Sequence, residues 1–335
     1  MLKEVTLKDL ADRTGFSVNT VSRALRGKPD ISKITREKVA EIAEELGYRR
    51  NALASQLRTR ESKTLGLIVT DIVNPVYSGV TKGVETAAKR EGYSVLLSDT
   101  EEDPENEAAA IHMMLEKRVD GMIIVPTQQH RESFLRLLER GFPFVVVGRI
   151  FDDIQTNCVV NDDVRGGFLA ADHLIAKGHR KILFLGGFPH ISSAAKRMRG
   201  YKQALELRGL PFVPELVVWG EPSMEGGYER LLALCTQSAR EWTAVFCFND
   251  LVAIGVMMAL EELGMRIPDD VAVVGYDDIK FAPALRPPLT TVDIGKYRLG
   301  EKGAELLIAL IKTEPARRVT KEIILEPRLV VRSST

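Results

Sequence analysis

Hydrophobic positions follow two different periods along the chain, and the change falls near residue 64. In the first 47 residues the apolar positions recur at i, i+3 and i+4 in three short bursts. Thr6 can cap a helix from Leu7 to Arg13 that carries Leu7, Leu10 and Ala11 on one face, and Gly15 stops it. Ser17 can cap a second helix, Val18 to Arg26, closed by Gly27 and Pro29. A third runs from about Ile34 to Leu46, with Ile34, Val39, Ile42, Ala43 and Leu46 inward and Gly47 at its end. Two helices across a tight glycine-containing turn, backed by a third, are the pattern of a helix-turn-helix domain. Asn51 to Leu57 can form one more short helix, and Thr59 to Lys63 is a polar linker.

From Leu65 onward, apolar runs of strand length alternate with amphipathic stretches of helix length. The runs are Leu65 to Val69, Val95 to Leu97, Met122 to Val125 and Phe144 to Val147, then Ile182 to Leu185, Leu216 to Val218, Ala244 to Phe248 and Val271 to Val274. Helical patterns lie between them, near residues 78–91, 104–118, 130–140, 162–177, 193–209, 225–235 and 250–264. Continuous apolar strands alternating with helices imply parallel sheets covered on both faces. Eight or more such strands could make one barrel or two open sheets, and an internal repeat favours two sheets: Gly83 and Gly92 recur as Gly200 and Gly209, each displaced by 117 residues. The expected fold is an all-α helix-turn-helix head followed by an α/β body of two Rossmann-like subdomains. Ligands of such folds bind beyond the carboxyl ends of the strands, in the crevice between the halves.

Composition sharpens this division of labour. Lys plus Arg and Asp plus Glu each total 46, so the chain has no net charge. Residues 1–60, however, hold 13 Lys/Arg and 8 Asp/Glu, net +5, which leaves −5 for the remainder. A basic head on an acidic body suits a head that meets a polyanion and a body that does not. Cys158, Cys235 and Cys247 are odd in number and sit in apolar runs, which argues for buried thiols rather than a disulfide framework or a metal site. The N-terminus lacks an apolar signal core, and no uncharged apolar stretch reaches the roughly 18 residues of a membrane helix, so a cytoplasmic protein without a membrane partner is expected.

In its ordered blocks the chain resembles the lactose-repressor/galactose-repressor (LacI/GalR) family of bacterial transcription regulators. The head carries Thr6-Leu7-Lys8-Asp9-Leu10-Ala11, Gly15-Phe16-Ser17-Val18-Asn19-Thr20-Val21-Ser22-Arg23-Ala24-Leu25, Leu46-Gly47-Tyr48 and Asn51-Ala52-Leu53-Ala54-Ser55-Gln56-Leu57. The body adds Asp71-Ile72-Val73-Asn74-Pro75, Arg118-Val119-Asp120-Gly121, Arg197-Met198-Arg199-Gly200-Tyr201, Phe248-Asn249-Asp250, Gly275-Tyr276-Asp277-Asp278 and Pro288-Leu289-Thr290-Thr291. The resemblance implies a homodimer that binds palindromic double-stranded operator DNA, usually as a repressor, and a small effector in the cleft that changes this affinity. It also implies a head of residues 1–48, a hinge helix and linker of residues 49–63, and a body of residues 64–335. The chain would cross between subdomains near Asn161, Thr290 and Lys321, giving an N-subdomain of 64–161 and 291–321 and a C-subdomain of 162–290 and 322–335. Two departures stand out. Arg50 replaces the family's usual hinge proline, and Gly148 replaces the acidic residue that often precedes the arginine at 149, removing one partner for a sugar hydroxyl.

On the second helix, Val21, Ala24 and Leu25 take core spacing, which leaves Val18, Asn19, Ser22 and Arg23 on the opposite face. Asn suits adenine and Arg suits guanine, because each makes bidentate bonds to those major-groove edges. Thr6, Ser17 and Thr20 fit helix caps or phosphate contacts, which position without reading. Asn51 and Arg58 complete the expected DNA contacts, with Leu57 as a minor-groove wedge and Ala54 as the small residue that lets two hinge helices approach. For the cleft, the resemblance and the strand-end positions select Asp71, Asn74, Tyr77 and Arg149 from the first half, and Ser193, Arg197, Asn249 and Asp277 from the second. Carboxylates accept from hydroxyls, arginine and asparagine donate, and a tyrosine ring offers an apolar face to a sugar.

Enzyme readings find no support: the chain has no Gly-x-Gly-x-x-Gly after the first strand, no phosphate-loop lysine, no Gly-x-Ser-x-Gly and no His-Glu-x-x-His. No catalytic residue, metal ligand or cofactor is expected. The alternatives are a dinucleotide-dependent enzyme with an accessory DNA-binding-like domain, and a sugar-binding transport component. The missing glycine fingerprint counts against the first, and the basic helical head against the second.

Overall fold

The computed structural model describes residues 5–48, 61–237 and 241–335. They belong to two compact units that divide between Ser62 and Lys63.

The first unit contains α1 (Leu7–Thr14), α2 (Val18–Ala24) and α3 (Lys33–Glu45). Thr6 and Asp9 form a reciprocal capping box at the start of α1: the Thr6 hydroxyl accepts from the Asp9 N–H, and the Asp9 carboxylate accepts from the Thr6 N–H at 2.7 Å. Gly15 ends the helix at φ +78°, a left-handed turn that a side chain would strain, and Ser17 caps α2 two residues later. Leu10, Val21 and Val39 are fully enclosed, with Ala11, Ala24 and Ala43 between them, so each helix contributes one large and one small residue to the core. Ile34 corrects the sequence expectation: it is 78% exposed. It stands five residues before Val39, about 140° around the helix, so it cannot share the inward row.

The second unit holds two parallel sheets. Strands β1 (Thr64–Val69), β2 (Ser94–Asp99), β3 (Gly121–Ile124), β4 (Phe144–Val147) and β5 (Cys158–Asn161) belong to the first. Strands β6 (Ile182–Leu185), β7 (Val217–Val218), β8 (Ala244–Cys247) and β9 (Ala272–Val274) form the second, in the order β7-β6-β8-β9. Strands β10 (Thr291–Asp293) and β12 (Arg328–Val330) pair antiparallel with each other, while β11 (Glu322–Leu325) joins the first sheet beside β5. The full order of the first sheet is therefore β11-β5-β4-β3-β1-β2.

Those pairings correct two of the expected crossings. Thr290 still bridges Val274, and Asp293 of β10 bridges Asp277 of the second half, so the chain passes to the first half near residues 294–295 rather than at Thr290. Strand β11 extends the first sheet in register with Cys158–Asn161, so the return falls near residues 326–327 rather than at Lys321. Strand β5 ends at Asn161, and the helix from Asp163 to Ala176 packs against the helix from Ser192 to Leu207 in the second half.

Helices α4 (Pro75–Arg90), α5 (Pro104–Glu116) and α6 (Glu132–Glu139) connect strands of the first sheet, and α7 (Asp163–Ala176) follows β5. Helices α8 (Ser192–Leu207), α9 (Met224–Gln237) and α10 (Asp250–Glu262) connect strands of the second, and α11 (Lys296–Lys312) returns to cover the first. The glycine repeat has a packing cause. A Cβ on Gly83 would lie 2.0 Å from the Tyr297 carbonyl oxygen, and one on Gly300 would lie 2.0 Å from that of Val80, so α4 and α11 cross backbone against backbone. A Cβ on Gly200 would lie 2.0 Å from the Val164 oxygen, and one on Gly167 would lie 2.2 Å from that of Arg197, so α8 and α7 cross in the same way. The second member of each repeat, Gly92 or Gly209, takes a positive φ just beyond its helix.

Candidate effector cleft and DNA-reading face

On α2 of the head, Val18 and Asn19 are exposed, and Ser22 and Arg23 are half-buried at the surface. Arg23 pairs with Asp30, while Ser22 accepts from the Arg26 guanidinium. The Ser17 hydroxyl accepts from the Thr20 N–H at 3.1 Å and lies 2.9 Å from the Thr20 hydroxyl. Thr6 and Ser17 are thus occupied as caps, with Thr20 bonded to Ser17, and Asn19 and Arg23 form the outward face. Arg50, Asn51, Ala54, Leu57 and Arg58 lie outside the described residues.

In the body, all eight cleft residues expected from sequence line one cavity of about 610 Å³. Asp71, Asn74 and Tyr77 follow β1, and Arg149 follows β4. Ser193 and Arg197 stand on α8, Asn249 caps α10, and Asp277 lies beyond β9. Every one of these strands ends at the cavity because parallel strands point their carboxyl ends the same way.

Arg197 is the hub of the second wall. Its Nε donates to Asp163 at 2.9 Å, its terminal nitrogen donates to the Phe248 carbonyl at 2.6 Å, and Asp277 lies 3.7 Å away. The guanidinium stacks 3.7 Å from the Tyr276 ring centre and 4.5 Å from that of Phe248. Burial works against its charge, but Asp163, Tyr276 and Asp277 overcompensate and raise its pKa. Burial also pushes the Asp277 carboxyl up to about 7, with Arg197 and Lys296 pulling it down.

On the first wall, Glu102 grips Arg149 with both oxygens, at 2.5 and 2.8 Å, and the Pro126 carbonyl accepts at 3.2 Å. Burial opposes the Arg149 charge, while Tyr77 and Glu102 favour it. Glu102, in the loop after β2, thus holds Arg149 from a position far from Gly148 in sequence. The Tyr77 hydroxyl accepts from Thr70 at 2.8 Å, and burial raises its pKa. Asn74 and Asn249 are less free than the sequence implies. The Asn74 amide oxygen caps α4 by accepting from Val76, and the Asn249 amide caps α10 and donates to Pro222 at 3.0 Å.

Sequence reasoning passed over Glu102, Asp163 and Phe248. The acid run Asp99-Thr100-Glu101-Glu102-Asp103 at a strand end was the available signal for the first. Phe248 stood in the block Phe248-Asn249-Asp250 without being singled out, and Asp163 carried no signal, because its role comes from the placement of Arg197. Among the described residues no group of three or more His, Cys, Asp or Glu could hold a metal ion, and no helix is long and apolar enough to cross a membrane.

Residues 6–51 match the family described as bacterial regulatory proteins, lacI family, and residues 171–335 match a periplasmic binding protein-like domain. The ribose operon repressor of Haemophilus influenzae is 35% identical over 329 residues, covering 98% of each chain. The chain belongs to the LacI family of regulators. The transcriptional repressor PurR of Aliivibrio fischeri is 32% identical over 334 residues, again across 98% of both chains. A lac repressor dimer bound to operator and the anti-inducer ONPF superposes with a TM-score of 0.88 at 28% identity, covering 99% of each chain. A LacI family regulator from Enterococcus faecium with bound ribose superposes with a TM-score of 0.71 at 29% identity, covering 81% of this chain and 98% of its own. This LacI-family chain is a ligand-responsive, DNA-binding transcription regulator of repressor type and not an enzyme.

Proposed function

We propose that this regulator binds an uncharged sugar in its cleft and reads a palindromic operator as a homodimer, in the cytoplasm and on the nucleoid. The observation that carries the sugar reading is the pairing of both cleft arginines. Arg149 is already held by Glu102, and Arg197 by Asp163. Seven carboxylates line the cavity, Asp71, Asp99, Glu101, Glu102, Asp163, Glu221 and Asp277, against those two arginines. A phosphate would displace a carboxylate from a buried arginine and leave it stranded, a costly exchange. A sugar hydroxyl meets no such conflict, because it can donate to a carboxylate and accept from a guanidinium already paired. The curated ribose operon repressor and the ribose-bound family member support the same chemistry.

The test is a thermal-shift panel that pairs each neutral sugar with its phosphate: D-ribose with ribose 5-phosphate, glucose with glucose 6-phosphate. A neutral sugar at a hundred times its dissociation constant should stabilise the body by about 2.7 kcal/mol. A stronger shift from the phosphorylated partner would overturn the reading. For the head, Asn19 and Arg23 are proposed to read base edges, with Thr6, Ser17, Thr20 and Ser22 at the backbone and Val18 against apolar base surface. Leu57 is proposed as the wedge that kinks the operator, with Ala54 at the hinge contact and Asn51 and Arg58 at the minor groove. Residues 1–48, 49–63 and 64–335 are proposed as head, hinge and body.

A further inference from the structure

Three residues that line neither the cavity nor the reading face join the two halves of the body. Gln128 follows β3, and Ile150 follows β4, so both belong to the half built on the first sheet. Ser192 opens α8, which belongs to the half built on the second. The Gln128 amide oxygen accepts from the Ser192 N–H at 2.9 Å, and its amide nitrogen donates to the Ile150 carbonyl. The Ile150 N–H in turn donates to the Ser192 hydroxyl at 3.1 Å.

The arrangement satisfies two needs at once. Helix α8 has no side-chain cap of its own, since Ile191 stands at the capping position. Its first N–H is a donor that requires a partner, and the partner comes from the other half of the body. Gln128 itself sits at φ +65°, a left-handed conformation uncommon for a residue with a side chain, which persists only where surrounding bonds fix it. Two of the three bonds, from Ser192 to Gln128 and from Ile150 to Ser192, cross between the halves and tie the loop that carries Arg149 to the helix that carries Arg197, while the third holds Gln128 to Ile150 within the first half. Because the two crossing bonds span 2.9 and 3.1 Å between halves that the chain joins elsewhere, a wider cleft would break them.

We propose that Gln128 is a positioning residue of the effector site, a clasp that sets the separation of the Arg149 and Arg197 walls before any ligand enters. This rests on the cleft being the effector site, but its test needs no effector. When the clasp holds, the ligand-free body spends most of its time closed, and a ligand meets a site already at its working width. When the clasp is lost, part of the binding free energy goes into closure, and apparent affinity falls by the closed fraction.

The experiment measures the distance across the cleft in the ligand-free full chain by pulsed electron spin resonance. Labels go on Glu139→Cys of α6 and Gln203→Cys of α8, both exposed, in a chain with Cys235→Ala and diluted with unlabelled protein. Gln128→Ala should move the distribution by several ångströms or add a second population, without a matching loss of thermal stability. Gln128→Glu keeps the acceptor but loses the donor to Ile150, so it should shift the same way by less. Ser192→Ala, which removes only the hydroxyl, gives an independent variant should Gln128→Ala fail to fold. Distributions identical to the parent chain in the folded variants would overturn the clasp and leave the sugar reading standing. A negative sugar panel with a shifted distance would leave the clasp intact and remove the sugar.

Discussion

Arginines serve both proposed recognition surfaces, in opposite environments. Arg23 of the head has a side chain 44% exposed and pairs with Asp30, itself 46% exposed. Arg197 of the body is 8% exposed against an Asp163 that is 4% exposed. The first pair is hydrated and worth little, so Arg23 can leave Asp30 for a base edge at small cost. The second cannot exchange partners without stranding a buried charge. The head is a surface whose energy appears on binding, whereas the cleft is a framework whose charges are settled beforehand.

The sharpest way to break this contrast is to remove each arginine and measure stability. Arg197→Ala leaves Asp163 buried and unpaired, and truncating one member of a buried pair costs about 3–5 kcal/mol. Urea unfolding of the body should show that loss, together with the disappearance of any effector response. Arg23→Ala should change stability by no more than about 0.5 kcal/mol. Comparable losses from the two variants would mean that burial does not separate the sites.

A second test stays within the body and asks how much of the framework is backbone. Gly200→Ala drives a methyl group onto the Val164 carbonyl oxygen, and Gly83→Ala does the same against Tyr297. Forced helix separation of this kind costs about 1–3 kcal/mol. Because Gly200 stands three residues from Arg197, its variant should also weaken effector binding, whereas Gly83→Ala should lower stability with a smaller effect on binding. Equal binding losses would show that the two helix crossings are not independent.

The third test addresses the head on DNA. Arg23→Ala should cost about 1–3 kcal/mol on operator and little on random duplex, since a base contact carries the discrimination. Fluorescence anisotropy with both duplexes at one salt concentration separates the cases. Equal loss on the two would reassign Arg23 to phosphate.

Much of the architecture was legible in the sequence for reasons that the coordinates make plain. Central strand β1 is an apolar run because both its faces are covered: Leu65, Leu67, Ile68 and Val69 are all fully buried. The glycine repeat was visible because its first member stands at a backbone-to-backbone crossing with no room for a side chain and its second takes a left-handed turn after the helix. What escaped notice lacks such a signature. Strands β5, β10, β11 and β12 have three or four residues each and take their place from a neighbour rather than from their own pattern. Helix α11 is the exception: Leu299, Gly303, Leu306, Leu307 and Leu310 stand at helical spacing, yet the pattern reading placed no helix there. In the cleft, the eight expected residues met in one cavity because strand ends and motif positions coincide. Glu102, Asp163 and Gln128 act by bonding to another functional residue across 47, 34 or 64 positions, which no local pattern records.

The smallest expected effect separates ligand binding from stability at a single carboxyl. Burial holds Asp277 at about 7, against an ordinary aspartate value of 3.8. Between those values the folded state keeps a proton that the unfolded chain has released, so Asp277 makes stability fall as pH rises through this window and adds no further change above it. Ligand binding should run the other way. Only ionised Asp277 accepts a sugar hydroxyl with full strength, and its ionised fraction rises about fivefold to tenfold between pH 6 and pH 8. Affinity for the neutral sugar selected by the thermal-shift panel should rise by up to that factor and then level off. Asp277→Asn should flatten both profiles, weaken binding, and make the variant relatively more stable at neutral pH than at pH 5. Glu107, which burial pushes to about 7, contributes to both proteins and cancels in the difference, whereas Asp250, held at about 8 by burial and by the Asp277 charge, moves down when that charge is removed and is counted with the variant. Calorimetric titrations at three pH values, paired with urea unfolding, measure the two slopes, and slopes of the same sign would remove Asp277 from direct contact with the effector.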